Sequence, residues 1–258
     1  MTLAGFTAST VAGVPVRSYG THGRTLVWMH GGGFSAGDLE MPEAHVVAHE
    51  LVERASVRVV SVGYRLAAYP AGLDDVVAVA SLLSRDAGPV VIGGTSAGGN
   101  LALAAALRLR DAATPTAGLV LAYPYLHRRN PPAPPGLEQR MAALAESARF
   151  PPAKMTAMAE FYLGPLADDP PAYAYPGSAS PDAIDFAGLP PTLVIGAEND
   201  DLLPSALDAA VRLAAAAVPV TEYLEPGVQH GHLNTEGLPG ALRTLDEIAR
   251  FLRELPAA

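Results

Sequence analysis

The sequence predicts an α/β protein with a mostly parallel central sheet flanked by helices. Short apolar runs rich in β-branched residues alternate with longer helical patterns along most of the chain. Half of the 258 residues are hydrophobic, so the chain can bury a substantial core. Several apolar runs end in glycine-rich or polar turns, as strands do at the carboxyl edge of a parallel sheet.

The elements follow from this alternation. Strands are predicted over residues 14–19, 24–29, 57–62, 90–92, 119–123, 189–195 and 221–224, where apolar runs are short. Helices are predicted over residues 42–54, 73–85, 101–110, 204–217 and 238–252, where the patterns are longer. No internal repeat interrupts this order.

Residues 126–187 differ in composition and hydrophobic pattern from the rest of the chain. Eleven of the 24 prolines fall between residues 130 and 181, and no strand pattern occurs there. Two amphipathic helical pieces are marked by Leu137, Met141 and Leu144 and by Met155, Met158, Phe161 and Tyr162. We therefore expect one domain over residues 1–258, with residues 126–187 as a small helical lid.

The composition limits the classes of molecule that the protein is expected to bind. With 26 acidic and 17 basic side chains the net charge is −9, and no basic cluster favours nucleic acid or an anionic membrane. There is no cysteine, which excludes disulfides and thiolate metal sites, and we expect no metal or cofactor. Residues 1–9 lack the basic start and apolar run of a secretory signal. We expect a cytoplasmic monomer or homodimer that acts on a small molecule.

The strongest local signal is a G-x-S-x-G pattern formed by Gly94, Ser96 and Gly98. It follows an apolar strand and precedes a helix, so the serine is expected on a tight bend that lifts its hydroxyl clear of the sheet. The N-terminus of the helix would stabilise negative charge beside Ser96. These features predict a nucleophile.

Four loops at the carboxyl ends of predicted strands carry the remaining chemistry. They contain the glycines 31–33, Ser96, the acidic pair 200–201 and His230, and they are expected to meet at one edge of the sheet. A serine hydroxyl needs a histidine to accept its proton, and the imidazole needs a carboxylate to orient it. The chain order of serine, acid and histidine is that of an α/β hydrolase.

The predicted oxyanion hole combines the glycine loop with the helix start. Backbone N–H groups of Gly31 and Gly32, together with that of Ala97, would bind the oxyanion of a tetrahedral intermediate. Three carboxylates compete for the acid position in the triad. They are Asp200, Asp201 and Glu198.

Several of these motifs resemble the hormone-sensitive-lipase-like branch of the α/β-hydrolase family, which contains bacterial carboxylesterases. The matching stretches are residues 30–34 (HGGGF), 64–66 (YRL), 94–100 (GTSAGGN), 189–191 (LPP), 197–200 (AEND) and 230–234 (HGHLN). The resemblance covers the chain from about Leu26 onward. It implies the α/β-hydrolase fold, and it favours Asp200 over the other two acids.

The sequence departs from that branch in places. Only about 25 residues precede the predicted oxyanion strand, so the N-terminal cap is expected to be truncated. His232 stands where the family commonly has an aromatic residue near the substrate. The expected substrate-binding residues are Phe34, Tyr125, Met158, Tyr162 and His232.

The resemblance implies a serine carboxylesterase that hydrolyses a small-molecule ester through an acyl-enzyme. A lid built from one segment offers little apolar wall, so we expect short acyl chains. An amidase, a lactonase or another acyl hydrolase could use the same triad. A non-catalytic small-molecule receptor on this scaffold is a further alternative.

Overall fold

A computed structural model describes residues 5–180 and 182–256 as an eight-stranded sheet covered by helices on both faces. The strands are β1 (Thr7–Val11), β2 (Val14–Tyr19), β3 (Thr25–Met29), β4 (Arg58–Val62), β5 (Val90–Thr95), β6 (Thr116–Ala122), β7 (Thr192–Asn199) and β8 (Val220–Gln229). The helices are α1 (Pro42–Ala55), α2 (Ala71–Ala87), α3 (Ala97–Asp111), α4 (Leu137–Ala142), α5 (Pro152–Leu163), α6 (Leu203–Ala215) and α7 (Pro239–Glu254).

The strand order is β1-β2-β4-β3-β5-β6-β7-β8. All pairs from β4 to β8 are parallel, whereas β2 pairs antiparallel with both β1 and β4. This confirms the prediction of an α/β protein with a mostly parallel sheet. Parallel strands that are covered on both faces have continuous apolar sequences, which is why these strands could be predicted from the sequence.

Two apolar layers hold the helices to the sheet. On one face α2, α3 and α6 contribute Val76, Leu103 and Leu213 to a single buried cluster. On the other face α1 and α7 contribute Leu51 and Ile248 to a second cluster. Helix α3 crosses the middle of the sheet, and most of its residues are buried on all sides.

The sequence prediction misses β1 and misplaces at least one end of four other strands, β5, β6, β7 and β8, by three residues or more. Strand β1 has the sequence TASTV and is exposed along most of its length, so it lacks an apolar run. Strand β7 begins at Thr192 rather than at 189, because Pro190 and Pro191 have no N–H for the ladder. Strand β8 extends to Gln229 although its residues are largely exposed.

The segment between β6 and β7 lies over the carboxyl edge of the sheet. It contains α4, α5 and two short 3₁₀ turns, Glu146–Ala148 and Gly164–Leu166. Within its described residues there is no strand. The second amphipathic pattern of the sequence corresponds to α5, whose residues Met155 and Tyr162 are buried.

Among the residues that the structure describes, no helix combines the length and the apolar character needed to cross a bilayer.

Helix α3 approaches β3 so closely that only glycine fits at Gly98. A Cβ there would lie 2.4 Å from the carbonyl oxygens of both Met29 and His30. Alanine normally favours a helix over glycine by about 1 kcal/mol. Here it would push α3 off the sheet, and overpacking of this kind costs about 1–3 kcal/mol.

We therefore expect Gly98→Ala to lower the free energy of unfolding by about 2 kcal/mol in urea denaturation. Asp86→Ala, at an exposed position of α2, is the matched control and should change stability little. A Gly98→Ala protein as stable as the wild type would mean that α3 can move away from β3 at no cost.

Candidate active site

Ser96 occupies a sharp turn between β5 and α3. Its backbone has φ 52° and ψ −117°, a conformation that is strained for any residue other than glycine. The turn is tight because the backbones of Gly94 and Gly98 touch, and a Cβ on Gly94 would lie 2.6 Å from the carbonyl carbon of Gly98. The turn is fixed further by a hydrogen bond from Ser96 N to Ala122 O, 3.0 Å long.

Three side chains meet at this turn in a line. The imidazole of His230 has Nε2 2.9 Å from Ser96 Oγ and Nδ1 2.7 Å from Asp200 Oδ2. Because the carboxylate accepts from Nδ1–H, Nε2 is left as the acceptor for the serine hydroxyl. Ser96 is 7% exposed and Asp200 is fully buried. The arrangement can activate a hydroxyl for nucleophilic attack.

The other two candidate acids have different partners. Asp201 accepts from Arg149 Nε at 3.0 Å and from Phe150 N at 2.7 Å. Glu198 accepts from Gly227 N at 2.8 Å. Asp200 also accepts from Leu202 N at 2.8 Å, which fixes its second oxygen. Of the three, the structure brings Asp200 to the imidazole.

Two aromatic rings position the imidazole of His230. Tyr123, directly after β6, packs edge-on with its ring centroid 5.0 Å away, and Phe150 packs edge-on at 4.5 Å. The pKa of Tyr123 is raised well above its usual value, mainly by burial and then by the charge of Glu43. Tyr123 therefore stays a neutral phenol that can donate a hydrogen bond.

The glycine loop runs past Ser96, but its donors differ from those expected. A Cβ on Gly31 would lie 3.1 Å from Ser96 Cβ. However, Gly31 N donates to Glu43 Oε1 at 2.6 Å, so this N–H is not free for an oxyanion. The prediction for Gly31 is therefore wrong, because a buried carboxylate already holds its donor.

Three other backbone donors remain available around Ser96. Within the described part of the chain, no acceptor reaches the N–H groups of Gly32 and Gly33. Ala97 is the first residue of α3, so its N–H has no acceptor inside the helix. Gly33 was not among the predicted donors, because three successive glycines do not show in the sequence which of their N–H groups are left without an acceptor.

Glu43 is the other residue that sequence reasoning missed. It lies in the first turn of α1 and is 2% exposed. Its second oxygen accepts from Tyr123 Oη at 3.1 Å and from Asn234 Nδ2 at 2.9 Å. In the sequence it looks like an ordinary acidic residue at a helix start.

Four of the five expected substrate-binding residues lie together on the lid side of the glycine loop. Phe34 stacks on Tyr162 with ring centroids 3.8 Å apart and 7° between planes, and Tyr125 lies 5.9 Å from Phe34. Met158 Sδ would be 2.9 Å from a Cβ on Gly33. Helix α5 therefore rests directly on the glycine loop.

His232, the fifth, is placed elsewhere. It is 3% exposed, and its Nε2 lies 2.8 Å from Thr244 Oγ1 on α7. Its ring also packs on Tyr123, with centroids 5.0 Å apart. The expectation that His232 contacts substrate is wrong, because the chain turns at Gly231 and directs this side chain into the packing against α7.

A cavity of about 580 Å³ is lined by residues of α4 and α5 and by Asp201, and its lining contains neither Ser96 nor His230. Phe150 lines it on the side of His230, and Asp201 lines it next to the acid. Its remaining lining includes Arg128, Arg129 and Met155. This volume is within the range of small-molecule sites.

A second serine, histidine and aspartate also meet in the structure. His127 Nδ1 lies 2.8 Å from Ser205 Oγ, and Nε2 lies 3.1 Å from Asp208 Oδ2. Ser205 is fully buried and accepts from Leu126 N at 3.0 Å, so no substrate can reach it. This group fastens the start of the segment between β6 and β7 to α6.

Within residues 5–180 and 182–256, no group of three or more His, Cys, Asp and Glu side chains is arranged to hold a metal ion.

Burial of His232 gives the protein a pH-dependent stability. Burial lowers the pKa of His232 to about 4, from about 6.5 in an unfolded chain. As the pH falls, His232 binds a proton in the unfolded chain before it does so in the folded protein, and this favours unfolding. The contribution of neutral His232 to the free energy of unfolding is therefore complete above pH 6.5 and is lost as the pH falls toward 4. The full effect is about 3 kcal/mol.

We expect His232→Phe to reduce the loss of stability between pH 7 and pH 4 by about 2–3 kcal/mol, measured by urea unfolding at both pH values. His22→Gln, at an exposed histidine, should show the acid sensitivity of the wild type. An unchanged acid sensitivity in His232→Phe would show that His232 titrates normally.

Known proteins are similar to this chain in sequence and in architecture. A family model described as the alpha/beta hydrolase fold matches residues 26–234. Esterase LipI of Mycobacterium tuberculosis is 32% identical over 228 residues, covering 83% of this chain and 67% of that protein. Carboxylesterase NlhH of the same species is 32% identical over 222 residues, covering 81% and 66%. This chain thus spans about two thirds of each relative.

A hyperthermophilic esterase from the archaeon Pyrobaculum calidifontis superposes with a TM-score of 0.82 at 28% identity, covering 97% of this chain and 86% of that one. The match of the family model over most of the chain agrees with the observed sheet order and turn geometry. The chain therefore belongs to the α/β-hydrolase family, in the branch related to hormone-sensitive lipase.

Proposed function

We propose that this protein is a serine carboxylesterase that hydrolyses esters of short acyl chains. The observation that carries this proposal is the contact of His230 with Ser96 Oγ at 2.9 Å and with Asp200 at 2.7 Å. The names of its relatives, esterases and carboxylesterases, support the same reaction class.

In the proposed reaction Ser96 Oγ attacks the ester carbonyl while His230 Nε2 takes the hydroxyl proton. Asp200 stabilises the imidazolium that forms. The tetrahedral intermediate collapses when Nε2 returns the proton to the leaving alkoxide. A water molecule, deprotonated by the same nitrogen, then attacks the acyl-serine and releases the acid.

The oxyanion is stabilised by backbone N–H groups of Gly32, Gly33 and Ala97. Each lacks an acceptor among the described residues and lies on a segment that passes Ser96. One such donor lowers the barrier by about 3 kcal/mol. Because these donors belong to a rigid loop and a helix start, they need little reorganisation during the reaction.

The acyl chain faces the aromatic residues under α5. The leaving alkoxide must lie next to His230 Nε2, so the acyl chain points away from the imidazole, toward Phe34 and Met158. Phe34 stacks on Tyr162, and Tyr175 packs edge-on against both rings at 6.0 and 5.7 Å. These aromatic side chains fill most of the space on this side. We therefore propose that only a short acyl chain fits there.

The alcohol part of the ester has more space in this proposal than the acyl chain. The cavity of about 580 Å³ borders Phe150, whose ring packs against His230. We propose that the leaving group extends from the imidazole toward this cavity, because Phe150 both contacts His230 and lines the cavity. We therefore propose a selectivity that is strict for the acyl chain and tolerant for the alcohol.

The serine mechanism is tested by Ser96→Ala. We expect a loss of about 10⁴-fold or more in kcat/KM for p-nitrophenyl acetate, because the hydroxyl provides the whole covalent route. A fluorophosphonate probe should label the wild type and not the variant. Circular dichroism should show the same fold in both.

Ser205→Ala is the matched control, because it removes the serine of the second, buried serine–histidine–aspartate group. It should keep probe labelling and activity per folded molecule. Retention of more than a tenth of activity in Ser96→Ala would contradict the serine mechanism. A wild type that binds esters but forms no adduct would indicate a receptor, and preferred turnover of amides or lactones would indicate one of the other acyl hydrolases.

Acyl-chain selectivity is tested with p-nitrophenyl esters of increasing length below their micellar concentrations. We expect kcat/KM to be highest from acetate to butyrate and to fall steeply by octanoate. Each methylene left in water forgoes about 0.8 kcal/mol of binding. Met158→Ala removes a side chain beside Gly33 and should move the maximum toward longer chains by about two carbons.

Phe161→Ala is the control on the same helix, because Phe161 is 45% exposed. It should leave the chain-length profile unchanged. A wild-type maximum at decanoate or longer would show that the lid segment encloses a deep acyl channel.

A further inference from the structure

The carboxylate of Glu43 connects three segments that surround the nucleophile. Its oxygens accept from Gly31 N at 2.6 Å, from Tyr123 Oη at 3.1 Å and from Asn234 Nδ2 at 2.9 Å. The Glu43 backbone N–H also faces Asn234 Oδ1 at 3.4 Å. The three donors come from the glycine loop, the end of β6 and the turn after His230.

This contact set is unusual because Glu43 is nearly completely buried and its described partners include no cation. A buried carboxylate is costly unless hydrogen bonds replace its water. Here every group that reaches the carboxylate is a donor, and the first turn of α1 adds a favourable partial positive charge. The site therefore resists any movement of these donors away from the carboxylate.

Gly31 is held from both sides as a result. Its N–H is bound by Glu43, while its carbonyl oxygen accepts from Tyr64 Oη at 3.1 Å and lies 2.7 Å from His30 Nδ1. With Gly31 fixed, the following peptides can present the N–H groups of Gly32 and Gly33 to an oxyanion. Glycine loops have many alternative conformations, so this fixation matters here more than in an ordinary loop.

The same carboxylate reaches the general base. Tyr123 donates to Glu43 and packs on the imidazole of His230, with ring centroids 5.0 Å apart. Asn234 lies in the 3₁₀ turn that begins two residues after His230. One buried group is thus bonded to the neighbours of both the oxyanion donors and the base.

We propose that Glu43 is a positioning residue that fixes the glycine loop and the turn after His230 relative to each other. This inference rests on the proposed esterase function. Glu43 touches no reacting atom. It acts through Gly31, Tyr123 and Asn234, and its effect is expected in the transition state rather than in substrate binding.

Glu43→Gln tests this role because it keeps the shape of the side chain. One amide oxygen can still accept from Gly31, but the amide NH₂ faces donors from Tyr123 and Asn234. We expect kcat for p-nitrophenyl acetate to fall about 30-fold with KM changed less than threefold, since loss of a whole oxyanion donor costs about 10²–10³. Binding of a trifluoromethyl ketone, which mimics the tetrahedral intermediate, should weaken in proportion to kcat.

Glu225→Gln is the matched control for loss of a buried carboxylate. Glu225 is fully buried and accepts from Tyr223 Oη at 2.6 Å and Arg243 Nε at 3.0 Å, and none of its described hydrogen bonds involves the glycine loop or His230. This variant should lose stability and keep kcat per folded molecule. A Glu43→Gln variant that behaves in the same way would overturn the positioning role.

Asn234→Ala provides a second route if Glu43→Gln does not fold. It removes one of the three donors, and we expect kcat to fall about fivefold with KM unchanged. If both variants fold, the double variant should lose less than the product of the two single losses, because both act through one contact. Full kcat in Asn234→Ala, or independent losses, would contradict the inference. An inactive wild type would refute the esterase function and this role together, whereas an active wild type with a fully active Glu43→Gln would refute this role alone.

Discussion

The strained backbone of Ser96 is the constraint on which the site depends. A positive φ at a serine costs about 1–3 kcal/mol, and the surrounding structure holds it because Gly94 and Gly98 let β5 and α3 touch. Ser96 O accepts from Asn100 N and Tyr125 N, so the turn is tied to α3 and to the chain beyond β6. The turn places Ser96 directly before Ala97, whose N–H is the first of α3.

Two buried carboxylates then fix the groups around Ser96. Asp200 accepts from Leu202 N and faces His230 Nδ1, which sets the tautomer and direction of the imidazole. Glu43 accepts from the glycine loop and from the neighbours of that imidazole. Because burial makes an unpaired carboxylate expensive, each of these groups holds its donors in place. The groups around Ser96 are therefore positioned by two carboxylates that are themselves buried.

The segment between β6 and β7 contacts the site on two sides. On the side proposed for the acyl chain, Tyr162 of α5 stacks on Phe34 and Met158 lies against Gly33. Near His230, the segment binds Asp201 through Arg149 Nε and Phe150 N and lines a cavity of about 580 Å³ that Phe150 borders. This segment thus packs closely against the glycine loop on one side and lines a cavity next to Phe150 on the other, which supports the proposed difference between acyl and alcohol selectivity.

The sequence by itself determined the parallel sheet, the serine turn and the order of serine, acid and histidine, because apolar strands, glycine-dependent turns and chain order are local properties. It could not place His232 or show that Gly31 was already bound. The side-chain direction of His232 depends on the left-handed turn at Gly231 and on the packing of α7. The partner of Gly31 is a carboxylate 12 residues away, on a helix that reaches the loop only after the sheet has assembled. Contacts of this kind join separate elements, so only the tertiary structure decided them.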